Sequence, residues 1–80
     1  MRNNVPGELI LVFRPRTTIP RAIFLPMLKG AKVRGIFVMP FLLIAILVKV
    51  PEGQEVDYIQ KFMNHRLIQW VELNGIGHLD

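Results

Sequence analysis

The chain contains no cysteine and no serine. The first absence excludes disulfides, thiolate metal sites and a cysteine nucleophile. The second excludes a serine-based triad, and Thr17, Thr18 and Tyr58 are left as the only side-chain hydroxyls. Histidine is nearly as scarce. His65 and His78 stand 13 residues apart with no His or Cys partner at ligand spacing, so no metal is expected. Glu52 and Glu55 fall one turn apart, a spacing open to acid–base chemistry, but at a helix start they complement the positive end of the dipole. No catalytic residue and no cofactor is nominated, and the chain reads as a non-enzyme.

Charge is missing from one stretch and unequal on either side of it. Residues 35–48 carry none. Residues 1–34 hold seven basic residues against Glu8 alone, a net of +6, whereas residues 49–80 hold three basic and five acidic residues, a net of −2. A basic flank, an apolar run and an acidic flank follow the order of a single membrane span under the positive-inside rule. These three parts are the expected organisation: a basic N-terminal segment (1–34), an apolar span (35–50), and an amphipathic helix with a short tail (51–80).

The run from Gly35 to Val48 has no polar side chain and neither a period of 2 nor a polar face at 3.6. Such a segment is buried on every side, in lipid or in a protein core. Fourteen helical residues reach only about 21 Å against a hydrocarbon core of about 30 Å. Arg34 and Lys49 are the membrane-flanking residues, whose stems extend the span by snorkelling. Pro40 kinks a helix here. In the alternative the run is strand, divided at Pro40 into one strand before it and a second over Phe41–Val50.

The remainder is read segment by segment. Glu8–Phe13 is a short apolar run that fits one strand or one and a half helical turns. Pro15, Pro20 and Pro26 break the stretch that follows. A basic surface of Arg14, Arg16, Arg21, Lys29 and Lys32 is read as facing lipid headgroups or, in the alternative, nucleic acid. After Pro51, the residues Val56, Ile59, Met63, Leu67, Trp70 and Leu73 follow one helical face, and Asn74-Gly75 supplies a stop. Asp57 and Lys61 form an i,i+4 pair. Ile59, Met63, Leu67 and Trp70 are the candidate interaction residues on that stripe.

The order Leu42–Val50, then Val50-Pro51-Glu52-Gly53, then a helix to Trp70, then Gly75-Ile76-Gly77, resembles the second half of a ferredoxin-like domain and is similar to domains of CRISPR repeat-associated proteins. The likeness covers under half of the chain and lacks an aromatic RNA-binding signature.

Two accounts follow. In the leading one the fold is mainly α, with a transmembrane helix over about 33–50, an amphipathic helix over about 54–74 and an irregular N-terminal segment. The protein is then a bitopic, non-catalytic accessory subunit of a larger membrane complex, its N-terminus on the cytoplasmic or matrix side, its partners other subunits and lipid. In the alternative the chain is a small α+β domain with strands at 8–13 and 36–50 and one helix, acting as a nucleic-acid-binding or homodimeric interaction module.

Overall fold

The computed structural model of the chain describes residues 4–75. The elements run β1 (Asn4–Phe13), α1 (Ile19–Leu28), β2 (Lys32–Met39), a three-residue 3-10 turn (Pro40–Leu42), β3 (Leu43–Lys49), α2 (Glu55–Met63) and β4 (Ile68–Gly75). The strands form one antiparallel sheet in the order β2-β3-β1-β4. A βαββαβ chain with β1 and β3 at the centre is the ferredoxin-like arrangement.

This α+β fold overturns the membrane account. Among the described residues no helix is long and apolar enough to cross a bilayer. The expected span over 33–50 is a β-hairpin, which removes the transmembrane helix, the membrane localisation and the role of subunit in a membrane complex that rested on it. Pro40 explains the difference. It opens the turn as the first 3-10 residue, and Phe41 and Leu42 follow with φ of 69° and 60°. The chain thus doubles back, and β2 and β3 cover each other's backbone groups from Lys32↔Lys49 to Met39↔Leu43. The strand alternative matches better, with two helices where it had one.

The expected helix over 54–74 is also corrected. It starts as anticipated, with Glu55 and Asp57 in the first turn and Lys61 in the last, complementing the dipole. It ends at Met63. Leu67 donates its amide N–H to Nδ1 of His65 at 3.1 Å, and the Ile68 N–H reaches the His65 carbonyl at 3.1 Å, which turns the chain into β4. Lys61, expected beside Asp57, holds its ammonium 4.6 Å from the centre of the Tyr58 ring.

The prolines that made the N-terminal segment look irregular are accommodated in α1. Pro20 lies in the first turn, where its missing N–H has no intrahelical partner. Pro26 lies in the last turn and is buried with Ala22 and Leu25 on the face toward the sheet. Both helices cover the same side of the sheet. Leu9, Leu11 and Phe13 from β1 meet Ile44, Ile46 and Val48 from β3, and Ala22, Leu25 and Phe62 close over them. Phe62 is the single buried residue of α2. Each large side chain removed from water here contributes roughly 1.5–3 kcal/mol. No polar or charged residue is buried among the described ones.

Candidate protein-docking face

Successive residues of a strand point to opposite sides of a sheet, and residues paired across an antiparallel ladder share a side. The register therefore defines the face that the helices leave open. On the central strands it carries Glu8, Ile10 and Val12 from β1 and Leu43, Ala45, Leu47 and Lys49 from β3. On the edges it carries Phe37 and Met39 from β2, and Trp70 and Glu72 from β4.

These residues lie in rows across the strands. At one end Lys32, Lys49 and Glu8 stand side by side, and the Asn74 amide donates to the Glu8 carboxylate at 2.8 Å. The next row runs Gly35, Leu47, Ile10, Glu72, and the one after it Phe37, Ala45, Val12, Trp70. Met39 and Leu43 form the far end. Apart from Glu72 on the β4 edge, the open face is thus polar at one margin and apolar over the rest.

Its relief is uneven. Ala45 is 2% exposed and Val12 is fully covered, although neither belongs to the core under the helices. Phe37 is 51% exposed and Trp70 36% exposed. In this row two covered residues separate two exposed aromatic ones on opposite edges of the sheet. The Trp70 indole N–H donates to the Glu72 carboxylate at 2.8 Å, which lays the ring along β4. The side chains around Val12 and Ala45 thus close over them, and Phe37 and Trp70 supply exposed aromatic surface on the two edges of this face.

The residues picked from the sequence do not assemble there as one set. Of the helical stripe, Ile59 and Leu67 are half-buried against the core, Met63 is exposed at the end of α2, and only Trp70 reaches the open face. Lys49 stands in its polar row, and Arg34 occupies the bulge where β2 slips by one residue between Val33 and Gly35. The basic residues divide in two. Arg14, Arg16 and Arg21 surround one concavity between β1 and α1, while Lys29 and Lys32 flank the other end of α1.

Sequence reasoning passed over Ile10, Val12, Phe37, Leu43, Ala45 and Leu47. A signal for them exists. In Leu9–Phe13 and Leu43–Val48 both alternate sets are apolar, the mark of a strand covered on both sides. One side is covered by α1 and α2, and the other is open. Comparison of the chain with models of protein families, with characterised proteins and with solved structures finds no match.

Proposed function

We propose that the chain is a non-catalytic interaction module that docks the open face of its sheet onto a helix of a partner protein. The observation that carries this reading is an apolar sheet face with no helix over it, on which Phe37 and Trp70 stay exposed at the two edges. Three strand spacings set the backbones of the two aromatic residues about 14 Å apart. A helix with its side chains is about 10–12 Å across, so one helix laid along the strands can touch both aromatic residues. An apolar patch of this kind, rimmed by charged residues, marks an interaction site.

The same face is poorly suited to nucleic acid. Sheet surfaces that bind single strands stack bases on aromatic residues. Here the central strands present Ile10, Val12, Ala45 and Leu47, and the carboxylates of Glu8 and Glu72 share the surface with Lys32 and Lys49. The five basic residues first grouped as one surface stand at two separate ends of α1.

Sedimentation of the isolated chain combined with a dye that fluoresces on apolar surfaces tests the reading. A monomer that binds the dye close enough to quench Trp70, and loses that binding in Phe37→Asp/Leu47→Asp, is the expected result. A stable dimer that excludes the dye and dissociates on the same substitutions would instead make a second copy the occupant.

A further inference from the structure

Away from the docking face, at the start of α1, lies a concavity of about 380 Å³. Arg14, Arg16 and Arg21 line it together with Thr17 and Thr18, and among the described residues no carboxylate does. Three arginines lining one hollow, with no carboxylate beside them among the described residues, leave a positive potential there, and such a cleft concentrates anions.

The donors are in part already oriented. Arg14 gives its Nε–H to the Arg66 carbonyl at 2.9 Å and one terminal nitrogen to the Gln69 side chain at 3.5 Å. A guanidinium has five N–H donors, so Arg14 is held in place with donors to spare. The Thr18 side chain makes no capping bond to the helix it precedes, which leaves its hydroxyl available. Pro15 and Leu67 supply an apolar part of the wall.

We propose that this hollow binds a phosphate monoester whose organic group is apolar. A phosphate monoester carries nearly two negative charges at neutral pH and three strong acceptor oxygens, which planar guanidinium forks pair with well. A monocarboxylate offers half the charge. The hollow is larger than a phosphate alone requires and falls in the range of small-molecule sites, and the Pro15–Leu67 wall receives the attached group. The site is independent of the docking face, and either proposal stands without the other.

The test is a ¹H–¹⁵N NMR titration of the chain at constant ionic strength with phenyl phosphate, inorganic phosphate and benzoate. Phenyl phosphate is expected to shift the amides of residues 16–19, 21 and 22 saturably, at least tenfold more tightly than benzoate and more tightly than inorganic phosphate. Arg16→Gln/Arg21→Gln, two exposed positions, is expected to weaken phenyl phosphate at least tenfold with an unchanged thermal melt. Shifts that follow total salt without saturating would overturn the proposal. So would equal binding by the double variant, or tighter binding of a mixed-sequence oligonucleotide than of phenyl phosphate at equal phosphate concentration, which would mark a diffuse attraction for polyanions.

Discussion

The amide of Gly7 on β1 donates to the carboxylate of Glu55, 48 residues later at the start of α2, at 2.7 Å. The other oxygen of the same carboxylate accepts the Gly53 N–H at 2.8 Å. One side chain thereby ties the first strand, the loop before α2 and the first turn of that helix together. The helix's own Glu55 amide and then the Gly7 amide hold the Glu55 carboxyl below its ordinary value; burial opposes them and the Gly53 amide adds to them.

A depressed carboxyl pKa stabilises the fold above the ordinary carboxylate range, and that contribution is lost as pH falls through the folded-state value. Glu55→Gln is therefore expected to melt lower than the parent at pH 7, with the gap closing once the medium is acidic enough to protonate Glu55 in the folded chain. Thermal melts at pH 7, 5 and 3 check this. A gap that persists undiminished at pH 3 would assign the effect to lost packing rather than to the charge.

Gly7 is itself constrained. Its φ is +74°, and a Cβ built on it would lie 2.6 Å from the carbonyl oxygen of Val50. That neighbour cannot yield easily, because the Val50 N–H bonds the Gly7 carbonyl at 2.7 Å. Gly7→Ala is expected to cost about 2 kcal/mol or more, from a left-handed backbone together with a backbone clash. Urea unfolding gives the figure, with the slope m unchanged if the folded state is otherwise kept.

At the tip of the hairpin the strain falls on residues that pack on nothing. Phe41 and Leu42 have left-handed φ values and are 93% and 81% exposed. Each bulky residue in that conformation costs roughly 1–2 kcal/mol. Phe41→Asn/Leu42→Gly suits the backbone and forfeits little packing. The pair is expected to stabilise the chain by about 1 kcal/mol after the added entropy of glycine, again measured in urea.

Much of the fold is legible residue by residue. The short apolar run after Glu8 fits β1, Pro40 divides the uncharged run into two strands, and the acids after Pro51 locate the start of α2. Three features resist. The hairpin is apolar on both faces, so Gly35–Val48 shows no alternation and has the composition of a span. Leu67, Trp70 and Leu73 satisfy a helical spacing, while Ile68 and Val71, β-branched and turned toward the core, belong to a strand. α1 hides behind Pro20 and Pro26, which end positions of a helix tolerate. The docking face is harder still. Phe37 and Trp70 are 33 residues apart, and only the register of four strands puts them in one row on the same face.

Photo-cross-linking tests the docking face most directly. With benzoylphenylalanine in place of Phe37 and, as a control, of exposed Gln60 on α2, the chain is irradiated in an extract of its source cells and the joined peptides are identified by mass spectrometry. The account predicts that position 37, and not position 60, joins to a single other protein, at residues on the apolar face of one of its helices. Cross-links from position 37 to a second copy of this chain alone, or equal yields from both positions, would contradict it.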